Sequence, residues 1–298
     1  MHTGVQRNGF EMKLSKTRVS APKKSVFITG NRQLIFKTKS AIIKKYKNAQ
    51  RVNRCGRQEK MAVKTVFFDL DGTLLPMDQD EFTRGYFKLL AEKLTPFGYE
   101  TEQLVKAIWS GMAAMVKNNG GESNEEVFWK IFTGIYGEKV RNDKLLFDEF
   151  YRVEFQKARE LCGFNEKASA AVRGIKKKGI HTVLATNPVF PAIATMTRVR
   201  WTGLSPSDFL LCTTYENIGF CKPNPDYYRE IIERISAKPE ECLMVGNDVE
   251  EDMVAQKVGM NVFLLTDCLI NKKGESVDMY PHGNFDDLMK YINSVKLK

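Results

Sequence analysis

The sequence lacks the features that would indicate a membrane protein, a zinc protein or a secreted protein. No apolar run approaches the ~20 residues that a membrane-spanning helix needs. Its six cysteines form no CxxC pair, and no cysteine–histidine cluster indicates a zinc site. No apolar segment follows the first charges, so no secretory leader is predicted. We therefore expect a soluble globular protein with no membrane partner.

The cysteines favour a reducing compartment. Cys212 and Cys242 lie in apolar, strand-like runs, where buried and reduced thiols are the better interpretation. Because disulfides persist in oxidising compartments, reduced thiols predict a cytoplasmic location.

Acidic residues are almost absent from the first sixty positions. Residues 1–60 contain 16 Lys or Arg against 2 Asp or Glu, whereas acidic residues slightly outnumber basic ones in residues 61–298. The basic segment has too few apolar residues for a core, so we expect it to be disordered or to precede a true start at Met61. A targeting segment and a basic arm for nucleic acid or anionic lipid are the alternatives. The acidic remainder opposes nucleic-acid binding.

Apolar runs alternate with helical patterns after Met61. Runs typical of buried strands lie at residues 65–69, 181–186, 209–213, 242–246 and 261–265. Helical patterns cover residues 165–178, 190–200, 226–235, 250–258 and 285–293. This alternation predicts an α/β fold with a parallel sheet and helices on both faces.

One long interval has helical patterns and no convincing strand. The patterns cover residues 81–94, 101–116, 124–136 and 144–161, with glycine-containing stretches between them. We predict a helical domain at residues 76–164, inserted into a core formed by residues 61–75 and 165–298.

Two aspartates mark the end of the first strand-like run. Sites in parallel sheets form beyond the carboxyl ends of the strands, which places Asp69 as a nucleophile that can form an aspartyl-phosphate. Asp71 would protonate the leaving oxygen and later deprotonate water. Gly72 allows a sharp turn after the strand. A surface turn is the alternative. The pattern also resembles part of a calcium loop, but residues 74–76 are apolar where further acidic ligands would be needed.

Two further signals favour phosphate binding. Thr186 and Asn187 end the second run, where a hydroxyl and the N–H groups at a helix start can donate to phosphoryl oxygens. A helix N-cap is the alternative for Thr186. Lys222 stands at a helix start marked by prolines, and its charge could offset that of the nucleophile and the phosphoryl group. A solvated surface lysine is the alternative there.

An acidic cluster follows the fourth run, at residues 246–252. Carboxylates gathered at a strand end repel one another unless a cation joins them. Because Mg²⁺ binds few protein carboxylates together with water and substrate phosphate, we predict a magnesium site with Asp248 and Asp252 as ligands. An acidic helix start is the alternative, and it explains Asp248 less well than Glu250 and Glu251.

Together these motifs resemble the haloacid dehalogenase superfamily of hydrolases, in the branch similar to phosphoglycolate phosphatases, whose helical cap is inserted between the first two motifs. The resemblance extends from Met61 to about Val295. It implies a Rossmann-like core, Mg²⁺, and ligands from Asp69, the backbone carbonyl of Asp71 and the fourth-motif aspartates. The matching positions are Asp69, Asp71, Thr73, Thr186, Lys222, Asp248 and Asp252.

The fourth motif departs from the pattern of many relatives, which carry Gly-Asp where this sequence has Gly246 and Asn247. If the alignment follows Gly246, Asn247 takes the first acidic position. If it follows the acids, Asp248 takes that position. Asp248 is the preferred ligand, because a second carboxylate is worth more to Mg²⁺ than an amide, and Asn247 is the alternative.

The predicted function is magnesium-dependent hydrolysis of a small phosphate monoester, a phosphorylated metabolite, through an aspartyl-phosphate. The dehalogenases that name the superfamily need no metal and typically lack the second aspartate, so Asp71 opposes dehalogenation. A phosphomutase on the same fold and a catalytically silent binding module are the alternatives. Substrate choice is expected from cap residues that close over the site, and no motif defines the oligomeric state.

Overall fold

The computed structural model describes residues 62–294 and 296–297, so the predictions for residues 1–60 lie outside it. The central feature is a parallel five-stranded sheet built from β2 (Thr65–Phe68), β3 (His181–Leu184), β4 (Cys242–Gly246), β5 (Asn261–Leu265) and β6 (His282–Gly283). Its strand order is β3-β2-β4-β5-β6. Two further short strands, β1 (Ala62–Val63) and β7 (Lys296–Leu297), pair in parallel with each other.

Helices surround this sheet. Their bounds in the described part are α1 (Gln79–Leu94), α2 (Thr101–Val116), α3 (Asn124–Tyr136), α4 (Lys144–Arg152), α5 (Glu166–Lys177), α6 (Ala192–Trp201), α7 (Pro225–Arg234) and α8 (Phe285–Ser294). Short 3₁₀ turns connect several of them. None of the described helices combines the length and the apolar character needed to cross a bilayer.

The two faces of the sheet carry separate apolar clusters, because neighbouring side chains in a strand point to opposite faces. Phe67 and Met244 belong to the cluster that packs against α7. Phe68 and Val245 belong to a larger cluster that includes residues of α5, α8 and the four helices α1 to α4. The predicted class, a Rossmann-like α/β core with an inserted helical cap, is therefore confirmed. The exact bounds 76–164 stay a prediction.

Strand β2 occupies the position that favours a site. It pairs with β3 on one side and with β4 on the other. The chain thus leaves β2 toward one neighbour and later returns to the opposite side. In open parallel sheets, the crevice for ligands forms at such a reversal, beyond the carboxyl ends of the strands. Asp69 follows β2 directly and lies in this crevice.

Aromatic side chains fill the interior of the inserted helices. Phe132 packs edge-to-face against Trp129 and Phe147, with ring centroids 5.7 and 5.5 Å apart. Helix α3 begins at a capping box in which Ser123 and Glu126 satisfy each other's backbone N–H groups. Helix α2 approaches α3 closely at Gly111, where a Cβ atom would lie 2.5 Å from the ring of Phe128.

Residues 209–213 do not form the predicted strand. They lie beside β3, where Leu184 N donates to Leu211 O at 2.8 Å and Thr213 N donates to Leu184 O at 3.0 Å. A single bridge, between Leu184 and Cys212, joins them to the sheet. A 3₁₀ turn (Pro206–Asp208) brings the chain to this edge, and a turn follows at once, so the contact is too short for a strand.

Two predicted helices are also wrong in their regularity. Residues 144–161 break at Val153, after which a 3₁₀ segment (Glu154–Leu161) continues. The break is invisible in the apolar pattern, because Phe150 and Phe155 are both buried on either side of it. Residues 250–258 form turns and a 3₁₀ segment (Met253–Val258). The chain there closes with bonds of the 3₁₀ type, such as that from Ala255 N to Asp252 O at 3.2 Å, which give a tighter turn than an α-helix.

Two glycines test the packing of α2 against α3. Gly111→Ala should destabilise the fold by about 1–3 kcal/mol, because the methyl group overlaps the Phe128 ring. Gly134→Ala, at an exposed α3 position with open space around it, should stabilise the fold by about 0.5–1 kcal/mol through helix propensity. Urea unfolding of both variants measures the difference. Equal stabilisation by the two changes would show that α2 and α3 do not approach as described.

Candidate active site

Four segments meet at the carboxyl edge of the sheet. Asp69 follows β2, and its N–H donates to Val245 O of β4 at 3.0 Å. On the other side of β2, Ala185 N donates to Phe68 O at 2.7 Å, so the residues that follow β3 begin beside Asp69. The residues after β4 and the loop before α7 complete the crevice.

Lys222 joins two of these segments. Its Nζ lies 2.8 Å from Asp69 Oδ1 and 2.7 Å from Asp252 Oδ1, and only 1% of the Lys222 surface is exposed. Burial alone would lower the pKa of Lys222, but the carboxylates of Asp252 and Asp69 raise it well above its usual range. Lys222 is therefore a buried cation and not the solvated surface lysine that was the alternative.

The burial of Asp69 is the main influence on its pKa. Burial raises this pKa to about 7, and the carboxylates of Asp252 and Asp71 add to the rise, against the opposing charge of Lys222. A further cation beside Asp69 would lower the pKa and hold this carboxylate ionised.

Asp71 is paired with an arginine that sequence reasoning missed. Arg198 of α6 is fully buried, and its Nη1 contacts Asp71 Oδ2. The guanidinium lies over the ring of Phe190, 4.3 Å from the ring centroid. The available signal was its helical spacing: Ala194, Arg198 and Trp201 share the buried face of α6.

The two aspartates of the fourth motif, Asp248 and Asp252, are held by hydrogen bonds. Asp248 Oδ1 accepts hydrogen bonds from Glu250 N at 2.8 Å and Glu251 N at 2.9 Å, within its own turn. Asp252 has both oxygens engaged, Oδ1 by Lys222 and Oδ2 by Asp248 N at 3.0 Å. The contacts of Asp248 Oδ1 and Asp252 Oδ2 hold the turn in shape, and Asp252 Oδ1 joins the turn to Lys222.

Asn247 faces the first motif. It is buried, and its Oδ1 accepts a hydrogen bond of 2.8 Å from Thr73 Oγ1. Its Nδ2 donates to Cys268 O at 2.7 Å. A Cβ on Gly72 would lie 2.4 Å from the same nitrogen, so Gly72 permits the approach of Asn247. Its positive φ of 80° also suits glycine.

The loop after β3 is fixed from two sides. Thr186 O accepts hydrogen bonds from Thr213 Oγ1 at 2.7 Å and Tyr227 OH at 2.8 Å. Asn187 Oδ1 accepts from Lys222 N at 3.3 Å, and its Nδ2 donates to Glu251 Oε2 at 3.1 Å.

Glu251 is a second residue that sequence reasoning did not place in the site. Burial raises its pKa to about 7, and the charge of Lys222 opposes this rise. No apolar or motif pattern distinguishes this glutamate from Glu250 beside it.

The structure thus brings Asp69, Lys222 and Asp252 into direct contact. Asp71, two residues after Asp69, is paired with Arg198, and Asn247 is hydrogen-bonded to Thr73 of the first motif. Among the described residues, no group of three or more His, Cys, Asp or Glu is arranged to hold a metal ion. The magnesium ligands and the catalytic roles therefore stay predictions.

Comparison with known proteins decides the family. The family model described as haloacid dehalogenase-like hydrolase matches residues 63–259. The chain belongs to the haloacid dehalogenase-like hydrolases. The fold class and the family resemblance that the motifs predicted are confirmed, and the protein is an enzyme of the hydrolase class.

Several haloacid dehalogenase-like relatives share this region. The chain is 27% identical over 201 residues to the pyrophosphatase PpaX of Bacillus cereus. The aligned region covers 67% of this chain and 81% of the relative. A 2-haloacid dehalogenase structure from Pseudomonas syringae superposes with a TM-score of 0.51 at 19% identity, over 78% of this chain and 98% of that one. The HAD-hydrolase YfnB of Bacillus subtilis, described as bound to magnesium, has a TM-score of 0.48 at 19% identity, over 78% and 99%.

The Lys222 contacts predict a large effect on stability in this hydrolase. Lys222→Met should cost about 3–5 kcal/mol, because it leaves two carboxylates buried without their cation. Adding Asp252→Asn should recover part of the loss, because one buried charge is removed.

Urea unfolding of the single and double variants measures both effects. The matched control is Lys106→Met, whose partner Glu102 is exposed, and it should cost less than about 1 kcal/mol. A Lys222→Met loss no larger than that of the control would contradict the buried triad.

Proposed function

We propose that this enzyme hydrolyses small phosphate monoesters with Asp69 as the nucleophile. The observation that carries the proposal is the buried Asp69 carboxylate, held by Lys222 at the end of β2, with the Asp71 carboxylate two residues later. A carboxylate attacks phosphorus and forms an acyl phosphate. The name of the pyrophosphatase relatives supports cleavage of a bond to phosphorus.

In the first half-reaction, an oxygen of Asp69 attacks phosphorus, and the bond from phosphorus to the leaving oxygen breaks. Asp71 donates a proton to that oxygen, so the alcohol leaves neutral. Lys222 places its positive charge beside the Asp69 carboxylate, where it offsets the charge that gathers on the transferring phosphoryl group.

In the second half-reaction, Asp71 removes a proton from water, and the water oxygen attacks phosphorus. The bond from phosphorus to Asp69 breaks, which releases inorganic phosphate and restores the carboxylate. Thr186 and Asn187 stand at the end of β3 beside Asp69, and we assign them to bind phosphoryl oxygens. The fixed backbone of Thr186 supports this role, since it cannot shift during turnover without breaking two hydrogen bonds.

The residues around Asp69 fit a magnesium ion. Their donors are oxygen atoms, which Mg²⁺ prefers, and the burial that raises the pKa of Asp69 would be opposed by a cation beside it. We propose that Asp69, the backbone carbonyl of Asp71, and Asn247 or Asp248 hold the ion. When bound, Mg²⁺ neutralises charge on the phosphoryl oxygens.

The contacts support Asn247 over the originally preferred Asp248. Asn247 contacts Thr73 of the first motif, whereas Asp248 Oδ1 is engaged within its own turn. For Asp252, whose two oxygens are both engaged, the contacts support a role in holding Lys222.

We also propose a cytoplasmic enzyme acting on a phosphorylated metabolite. The five described cysteines are free, and Cys212 and Cys242 are buried as predicted. Free thiols support a reducing compartment.

The nucleophile is tested by Asp69→Asn. A screen of phosphate esters with wild-type enzyme, with Mg²⁺ and with a chelator, first identifies a substrate. The variant should then lose turnover by at least about 10³-fold, because an amide cannot attack phosphorus. Circular dichroism verifies folding. Appreciable residual turnover in a folded variant would sink the assignment.

The fourth motif is tested by comparing Asn247→Ala with Asp248→Ala. If Asn247 holds the metal, Asn247→Ala should weaken the thermal stabilisation by Mg²⁺ more than Asp248→Ala does, because binding to the folded state alone stabilises it by mass action. Melting curves over a Mg²⁺ series measure this in each variant. A larger effect of Asp248→Ala would restore the original preference for the carboxylate.

A further inference from the structure

Arg198 has more hydrogen-bonding capacity than the described residues use. Its Nη1 contacts Asp71 Oδ2. Its Nε and Nη2 are buried and have no hydrogen-bond partner within residues 62–294. Asp71 Oδ1 is buried without a partner as well. Unpaired buried donors are unusual in folded proteins and are costly when the group is charged, so these N–H groups call for an explanation.

The two unpaired nitrogens lie on one edge of the guanidinium. Nε and Nη2 present parallel N–H groups in one plane, and this edge forms two parallel hydrogen bonds to a carboxylate or to a phosphate. Because Nη1 alone holds Asp71, the edge can bind an anion while the contact with Asp71 persists. The free edge is therefore a preformed anion-binding fork.

The position of the fork relates it to the leaving group. Arg198 contacts Asp71, the residue assigned to protonate the leaving oxygen, whereas Lys222 contacts the nucleophile Asp69. An anion on the Arg198 fork therefore belongs to the part of the substrate beyond the scissile bond. The transferring phosphoryl group is served from the Asp69 side.

The residues around Arg198 border a cavity, although Arg198 itself is fully buried and does not line it. Phe190, whose ring lies under the guanidinium, also lines a cavity between the inserted helices and the core. Tyr86 and Tyr151 line the same cavity, and their hydroxyl groups are 2.9 Å apart. The charge of Arg198 opposes the burial that raises the pKa of Tyr86 to about 12, so Arg198 lies close enough to act on this hydroxyl group.

We propose that Arg198 is a specificity residue that binds a second anionic group, a carboxylate or a phosphate, on the leaving part of the substrate. The proposal rests on the phosphatase function proposed above and narrows its substrates to esters whose alcohol carries a negative charge. A purely structural role in holding Asp71 explains the Nη1 contact, but it leaves the Nε–Nη2 edge without a function.

Three esters of the same chain length test the proposal. Propyl phosphate has no second anion, 3-phosphooxypropanoate has a carboxylate, and propane-1,3-diyl bisphosphate has a second phosphate. For the wild-type enzyme with Mg²⁺, kcat/KM should be roughly ten- to a hundredfold higher for one or both anionic esters than for propyl phosphate, as expected for a charge-assisted bidentate contact. The comparison of the two anionic esters identifies which anion fits.

Arg198→Lys keeps a positive charge and removes the fork. The ratio of kcat/KM for the anionic ester to that for propyl phosphate should fall by about tenfold or more in this variant. A common loss through Asp71 cancels in this ratio. The matched control is Arg200→Lys, at an exposed position of the same helix, which should leave the ratio unchanged.

The outcomes separate the two proposals. If propyl phosphate is hydrolysed and the anionic esters are not preferred, or if Arg198→Lys keeps the wild-type ratio, the anion fork is wrong while the phosphatase function stands. If no ester is hydrolysed, the proposed function fails. Calorimetric binding of 3-phosphooxypropanoate, the bisphosphate and propyl phosphate to wild type and Arg198→Lys then decides the fork: an anionic preference that is lost in the variant supports it, and equal affinities overturn it.

Discussion

A buried ammonium group between two buried carboxylates is the constraint on which the site depends. Lys222 contacts Asp69, which follows β2, and Asp252, which lies in the turn after β4. All three side chains are nearly excluded from solvent. Charges in such a place are costly unless they are paired with good geometry. The loop before α7 must therefore lie against both strand ends, which ties the assembly of the site to the stability of the fold.

Asn247 shows how a neutral side chain can be required where an acid is common. Its amide accepts from Thr73 Oγ1 and donates to Cys268 O. An aspartate could accept the first bond, but it would set a carboxylate oxygen against the Cys268 carbonyl. Cys268 lies in the loop after β5, and this loop is also joined to the fourth motif by Ile270 N, which donates to Asn247 O at 2.8 Å. The amide therefore links the first motif, the fourth motif and the loop after β5. As a result, position 247 places no carboxylate near Asp69.

The sequence predicted the parts of the molecule that follow from burial and periodicity. Strands β4 and β5 have the predicted bounds, because an apolar run buried on both faces has few other structures available. Arg198 escaped prediction because an arginine in a helical pattern is normally solvated. The direction of the Asp248 side chain escaped as well, because it depends on hydrogen bonds within a turn and not on any periodic pattern. Both misses concern polar groups, whose placement depends on partners distant in the chain.

The inserted helices are connected to the loops around Asp69 by more than apolar contact. Asn124, at the start of α3, is fully buried, and its Nδ2 donates to Pro188 O at 3.2 Å and to Phe220 O at 3.4 Å. These carbonyls flank the segments that carry Asn187 and Lys222. Because buried amide hydrogen bonds are costly to leave unmade, a movement of α3 would disturb both of these segments together. The inserted helices are thus coupled to the loops that carry Asn187 and Lys222, so under the proposed function the shape of one end of the substrate can influence the geometry at the other.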